Sequence, residues 1–328
     1  MYMWWIVASG PFTPHLEDAM KFLFTLCSAL ILLVLGVSPT LAWDDFGHRL
    51  VARIAWENMT PQARARAISI LRGAAPETRL AGAGGTGTLS PQQQMELFAN
   101  AAVWPDSIRN VNDPRNEKYD HPYRHYVDIS WRQATDFGPV QPSDHREQGD
   151  LLRDVSRLQQ KLTGGTPEEQ ATALAWILHL VGDIHQPLHA SARVTPRDEC
   201  GDAGGNDFKL EVLQGDRRRT LHSVWDGIIT DNLRKSSEPL ETSLTRALTE
   251  VTQRHPRGEF ASEIGQTDFR QWARESVAIA QRSVYRAPLA RDHAAPAAYR
   301  QAAFRAAEPR VALAGYRLAD LLNQALGS

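Results

Sequence analysis

Cysteine is almost missing from this 328-residue chain, with only Cys27 and Cys200. That scarcity excludes a disulfide scaffold and a thiolate metal site, so stability must come from a large core or from metal held by nitrogen and oxygen. Excess charge is missing as well. Against 36 Lys and Arg stand 38 Asp and Glu, a formal net charge of −2. No global basic field draws in long nucleic acid or acidic membrane. An anionic substrate therefore has to be held locally, by a few arginines or by bound metal. Convincing strand patterns are few, and long apolar runs are confined to one place.

That place is the N-terminus. Met20-Lys21 precedes FLFTLCSALILLVLGVSPTLA, an apolar run ending in small residues at Ala42. A positive start, an apolar stretch and a small-residue end make a cleavable export signal cut before Trp43. The run also approaches the length of a membrane anchor, but its ending favours cleavage. Residues 1–42 are therefore assigned to the signal, with 1–19 as an upstream extension. The product is secreted or periplasmic, away from the membrane, and keeps Cys200 alone, which can form no internal disulfide.

The remainder, 43–328, carries helical signals throughout. TPEEQATALAWILHLVG opens with Thr166 as N-cap, Pro167 at the first helical position and Glu169 closing a capping box. Leu174, Ile177, Leu178 and Val181 then recur at helical spacing. Similar patterns cover about 46–58, 61–72, 91–103, 147–162, 239–253, 268–284 and 307–326. The best strand signals, RHYVDIS and FKLEVL, predict a short hairpin or extended loops. The glycine-rich stretches 81–87 and 198–207 are loops. With no repeat and no linker, the expectation is one mainly α domain.

One stretch stands out: WILHLVGDIHQPLH, Trp176 to His189. His179 and Asp183 lie four apart and share a helix face. Pro187 ends the helix and pushes Gln186 toward extended geometry, so His189 arrives from another direction. Two ligands from a helix and one from the turn after it suit a metal, and imidazole with carboxylate is the expected donor set where thiolate is absent. His185 points elsewhere on the helix and is expected to support the ligands from behind. Further donors are scattered along the chain: His48 in WDDFGHRL, Asp106 in WPDSIR, His125 in HYVDIS, and His222 with Asp226 in LHSVWD. They are too many for one metal. His121 and His145 are left as surface histidines.

In this order and approximate spacing, WDDFGH, WPD, HYVD, HLVGDIHQPLH, GGN and HSVWD resemble the zinc-dependent single-strand-specific nucleases of the S1/P1 type, secreted α-helical enzymes that share an architecture with zinc phospholipase C. The resemblance implies three zinc ions. One would be held by Asp106, His125, His179 and Asp183, and a second by His189, His222 and Asp226. The third would use His48, Asp183 as a bridge, and the α-amino nitrogen and carbonyl oxygen of Trp43. Asp106 and Asp183 would thus stand at the catalytic centre, and Arg109 would contact phosphoryl oxygens. Tyr126 would stack on a base whose edge meets Asp128 and Asn206. The implied activity is hydrolysis of single-stranded DNA and RNA to 5′-phosphorylated products, with 3′-nucleotides as further substrates and no stable protein partner. The alternatives are a zinc phospholipase C, whose choline headgroup would prefer an aromatic cage, and a non-catalytic zinc-binding protein. The family's fungal and plant members usually carry disulfides, which this chain cannot form.

Overall fold

The computed structural model describes residues 43–82, 87–212 and 218–327. The expected signal segment lies outside these residues, as do parts of the 81–87 loop and the last residue of FKLEVL. The fold is mainly α. The principal helices are α1 (Asp45–Asn58), α2 (Pro61–Arg72), α3 (Pro91–Ala101), α4 (Trp104–Ser107), α5 (Leu151–Gly164), α6 (Pro167–His185), α7 (Leu221–Asp226), α8 (Leu240–Arg254), α9 (Phe269–Ile279) and α10 (Ala297–Leu326). The strands are β1 (Ile129–Arg132), β2 (Gln141–Pro142) and β3 (Ser191–Val194), in the order β2-β1-β3.

Helix α6 is the axis of the molecule. It starts with the expected capping box, Thr166 Oγ1 accepting from Glu169 N and Glu169 Oε2 accepting from Thr166 N. From Ala173 to His185 every residue is buried, because α6 is wrapped by α1, α2, α3, α4, α5, α9 and α10. A helix apolar on nearly all sides needs such a jacket. Each fully buried Leu, Ile or Val on it contributes about 1.5–3 kcal/mol, which offsets the cost of burying the polar His179 and Asp183 among them.

Helix α6 stops where proline dictates. Gln186 is extended (φ −81°, ψ 119°) and Pro187–His189 form a single 3-10 turn. The chain then enters β3, a strand that the sequence pattern did not disclose. Of RHYVDIS only Ile129 and Ser130 enter β1, whose partners are β2, antiparallel, and β3, parallel, with Ile129 opposite Ser191. Among its described residues FKLEVL forms only an isolated bridge, Lys209 with Thr220. The parallel pairing lays the turn after α6 beside the 125–128 segment: Val127 N donates to His189 C=O at 2.8 Å.

The last helix differs most from expectation. It begins ten residues before 307 and runs through Pro309. Proline inside a helix costs about 3 kcal/mol, yet α10 is buried from Ala307 to Ala319 apart from Pro309 itself and packs along α1 and α6. Tertiary burial here overrides local preference. Cys200 is free and exposed. Among the described residues no helix is long and apolar enough to cross a membrane.

Candidate metal centre

Helix α6 presents His179 and Asp183 from consecutive turns, both fully buried. Around them five other segments converge. Asp44 caps α1 by accepting from Gly47 N, and one turn later His48 lies flat on His179, ring centroids 3.9 Å apart and planes 18° from parallel. Helix α4 is pinned by the Trp104 indole N–H, which donates to Thr78 C=O at 2.7 Å, and it carries Asp106 inward. The 3-10 turn Pro122–His125 carries His125, and the turn after α6 carries His189. Helix α7, capped by Thr220 on Ser223 N, sets His222 and Asp226 on one face.

Asp183 divides its two oxygens between neighbours. Oδ1 is 3.3 Å from His48 Nε2, while Oδ2 is 3.3 Å from both His179 Nε2 and His125 Nδ1. Asp106 Oδ1 closes the latter group, 3.8 Å from His179 Nε2 and 3.9 Å from His125 Nδ1. In the other group Asp226 reaches His189 Nε2 at 3.8 Å and His222 Nε2 at 3.5 Å. The donor atoms of three trios, His48–His179–Asp183, Asp106–His125–His179 and His189–His222–Asp226, each lie within 4.8 Å of one another.

The hydrogen bonds around these rings fix where their lone pairs point. His179, His189 and His222 each donate Nδ1–H to a carbonyl, those of Ala102, His125 and Gly204, at 2.8, 2.6 and 2.7 Å. A carbonyl can only accept, so a neutral ring must keep its lone pair on Nε2. Burial does keep these rings neutral, lowering His179 to about 3 and His189 and His222 to about 4. The Nε2 atoms of His189 and His222 then face each other at 3.0 Å with no proton between them. Two opposed lone pairs repel unless a cation sits beside both.

The oxygens point the same way. Both carboxylate oxygens of Asp106 and of Asp183, both ring nitrogens of His48 and Nε2 of His125 are buried without a hydrogen-bond partner. Burial pushes Asp106 and Asp226 up to about 8 and Asp183 well above the carboxylate range. His48 and His125 are driven well below the usual histidine value, again by burial first. Buried carboxylates and bare imidazoles without partners are costly. Divalent cations would satisfy all of them at once, so the residues present fit a metal cluster.

Trp43, the first described residue, is fully buried at the edge of this cluster. Its neighbour Asp44 donates its backbone N–H to Asp226 C=O at 3.0 Å, which ties this segment to helix α7. His48 fits beside Trp43 only because residue 182 has no side chain. A Cβ there would lie 2.7 Å from His48 Nδ1. Arg109 Nη1 is 3.6 Å from Asp106 Oδ1, with the side chain 11% exposed. Tyr126, half-buried, and Asp128, whose carboxyl burial pushes up to about 7, follow His125. Asn206 stands on the loop whose Gly204 carbonyl holds His222.

His185 goes elsewhere. Its Nδ1 bonds Val181 C=O and its Nε2 meets Arg317, both about 2.8–2.9 Å, so it belongs to the core on the far side of α6. His121 is exposed and His145 half-buried. One contributor escapes the sequence reading. Gln186 donates Nε2–H to Asp226 Oδ1 at 2.6 Å and accepts from Leu188 N with its own oxygen. It aims Asp226 while fixing the turn to His189. Its position between two candidate ligands, as a polar residue at the buried end of a helix, is the signal that could have found it.

The S1/P1 nuclease family model matches residues 43–327. The chain belongs to the S1/P1 nuclease family. Among its relatives, nuclease S1 of Aspergillus oryzae is 25% identical over 57% of this chain and 54% of its own length, so that match spans about half of the relative. Endonuclease 1 of Arabidopsis thaliana is 26% identical over 66% of this chain and 67% of its own length. Endonuclease 3 of the same plant is 24% identical over 90% of this chain and 93% of its own length.

Proposed function

We propose that this chain is an exported endonuclease that binds three zinc ions, hydrolyses single-stranded DNA and RNA to 5′-phosphorylated products, and also removes phosphate from 3′-nucleotides. The observation that carries the reading is the pair of opposed Nε2 lone pairs on His189 and His222, beside partnerless Asp and His atoms. Zinc suits an all-nitrogen-and-oxygen donor set of this size. Asp106, His125, His179 and Asp183 would hold one ion, and His189, His222 and Asp226 another. His48, the second oxygen of Asp183 and the backbone nitrogen and oxygen of Trp43 would hold the third. Bound zinc supplies Lewis acidity, lowers the pKa of water toward neutrality and offsets charge on the departing oxygen.

The protein's own residues do the remaining work. Arg109, steadied by Asp106, offers a fixed guanidinium to the phosphoryl oxygens. Tyr126 stacks on a base, and Asp128 and Asn206 hydrogen-bond its edge. Stacking needs an unpaired, unstacked base, which selects single strands without reading sequence. Gln186 and the three carbonyls that accept from His179, His189 and His222 keep the donors aimed. The near-zero net charge of the chain suits a site that attracts phosphate through local cations. Removal of the signal before Trp43 would complete the centre, because a free α-amino group, with pKa near ~8, can lose its proton and ligate while a peptide nitrogen cannot.

The test is to sequence the N-terminus of the exported protein, measure its metal by elemental analysis, and assay denatured DNA, RNA, 3′-AMP and phosphatidylcholine with and without chelator. Three zinc equivalents, a start at Trp43 and chelator-sensitive cleavage of the first three substrates are expected. Hydrolysis of phosphatidylcholine alone would overturn the reading.

A further inference from the structure

The turn that buries His125 throws an aromatic ring the other way. Tyr123 is 62% exposed, and its ring centroid lies 6.3 Å from that of Tyr126, with planes 52° apart. Both tyrosines are fixed to the start of α5: Asp150 N donates to Tyr123 C=O at 2.6 Å and Leu151 N to Tyr126 C=O at 3.2 Å. The approach is so close that a Cβ on residue 149 would sit 2.2 Å from Tyr126 O, and Gly149 has φ +85°. An exposed ring on a rigid support, one step from the base pocket, has little to gain from the core and much to offer a ligand.

A cavity of about 440 Å³ opens beside Tyr123. Arg153, Arg157 and Lys161 recur every four residues along α5 and so line one face of it, and Arg124 closes the inner end. Arg124 is set by Asp154, at 2.7 Å, and by stacking 5.2 Å from the Trp176 ring that also backs His125. Arg153 is oriented by Asp150 and Asp154. Arg157 and Lys161, 66% and 53% exposed in their side chains, pair loosely with Asp154 at 3.7 Å and with Glu169 at 3.2 Å, both partners that a phosphate could displace. The cavity therefore gathers four cations, balanced by Asp120, Asp150 and Asp154 in its wall and by Glu169 beside Lys161, of which Arg153, Arg157 and Lys161 are more than half exposed. Aromatic rings interleaved with arginine and lysine are what a single strand needs: faces for its bases and charge for its backbone.

We infer that Tyr123 and the Arg157–Lys161 face of α5 form a second nucleotide subsite, in which Tyr123 stacks the base adjacent to the one held by Tyr126 and the cations meet the phosphodiester between or beyond them. This rests on the nuclease reading above and adds the substrate's length to it: an oligonucleotide reaches groups there that a mononucleotide cannot.

The test compares the zinc-loaded protein with Tyr123→Ala, Tyr123→Phe and Arg157→Ala/Lys161→Ala, on a single-stranded octanucleotide and on 3′-AMP. In Tyr123→Ala the ratio of kcat/KM for the octanucleotide to that for 3′-AMP falls about five- to a hundredfold, the range for losing one stacked base, and Tyr123→Phe restores it. The double variant flattens the dependence of octanucleotide binding on salt by about 0.7 in log–log slope for each phosphate that is no longer neutralised. An unchanged ratio in Tyr123→Ala, or an unchanged salt slope in the double variant, overturns the subsite. Failure of the wild-type protein to cleave anything counts against the nuclease reading instead. Anisotropy of a fluorescein-labelled octanucleotide then still reads the subsite, as weaker binding to Tyr123→Ala supporting it or equal binding refuting it.

Discussion

Stripping the metal should reverse the way stability responds to pH. In the metal-free protein Asp106 and Asp226 are buried with carboxyl pKa values of about 8, against about 3.9 in an unfolded chain. Between those values the folded state holds more protons than the unfolded one, so stability falls with rising pH, by about 1.4 kcal/mol per unit for each group. The histidines act in the opposite sense. His179, His189 and His222, lowered to about 3, 4 and 4, hold fewer protons folded than unfolded up to about pH 6.5, so their contribution grows as pH rises to that point and is complete above it. Three rising and two falling contributions leave a net rise of about 1.4 kcal/mol per unit below pH 6.5, and His48 and His125, also lowered by burial, add to it. Above it only the carboxyls still titrate, and stability drops by up to about 2.7 kcal/mol per unit, or about 3–4 kcal/mol from pH 6.5 to 8. Asp183, also raised by burial and by Asp106, deepens the fall. Against a total stability of about 5–15 kcal/mol such a change is decisive. With zinc bound as proposed, the same carboxyls would be ionised ligands, the slope should vanish, and binding should tighten as protons leave. Urea unfolding followed by tryptophan fluorescence at pH 6.5 and 8, with and without zinc, measures both curves. An Asp106→Asn/Asp226→Asn variant has no such protons to lose and should flatten the metal-free curve. Metal-free wild-type protein equally stable at the two pH values, or more stable at 8, would refute the claim that burial keeps these carboxyls neutral.

The remaining predictions concern single positions. Asp183→Asn should remove more than one zinc equivalent along with activity, since its two oxygens face different donor groups; full metal content by elemental analysis contradicts the bridge. Gly182→Ala should displace His48, 2.7 Å from the added carbon, and cost about 1–3 kcal/mol by overpacking together with about one zinc equivalent, as read by unfolding and metal analysis. Tyr126→Ala should raise KM for 3′-AMP about five- to a hundredfold with zinc content unchanged; loss of zinc would place Tyr126 in support of His125 rather than against a base. Leaving several residues ahead of Trp43 should abolish one equivalent of zinc and most activity, and an equally active extended protein argues against a terminal-amine ligand.

How much of this was legible beforehand depended on whether the signal was local. Thr166, Pro167 and Glu169 announce the start of α6 and Pro187 its end, because caps and prolines act within four residues. The same logic failed at Pro309, which local rules place near a helix start, while the helix it sits in is held by its burial against α1 and α6. β3 was invisible for a related reason: Ser191-Ala192-Arg193-Val194 does not alternate, since all four residues are buried, and only the distant 129–132 segment gives them a partner. The donors themselves could be found by residue type and by the spacing of His179, Asp183 and His189. Their grouping around one another could not be derived from spacing, because it is made by six separate segments meeting.

His185 shows what distinguishes a ligand from a bystander in such a stretch. It is as buried as His179 and stands only six residues away, and composition treats them alike. Both spend Nδ1 on a carbonyl, but His179 turns its Nε2 to Asp183 and His125, whereas His185 turns its Nε2 to the guanidinium of Arg317. A nitrogen whose lone pair already accepts from a cationic donor has no need of a metal, while one that faces another lone pair or a buried carboxylate does. Asking of every buried imidazole what its second nitrogen faces separates the five candidate ligands that bring their own unmet demand into this core from the one that does not.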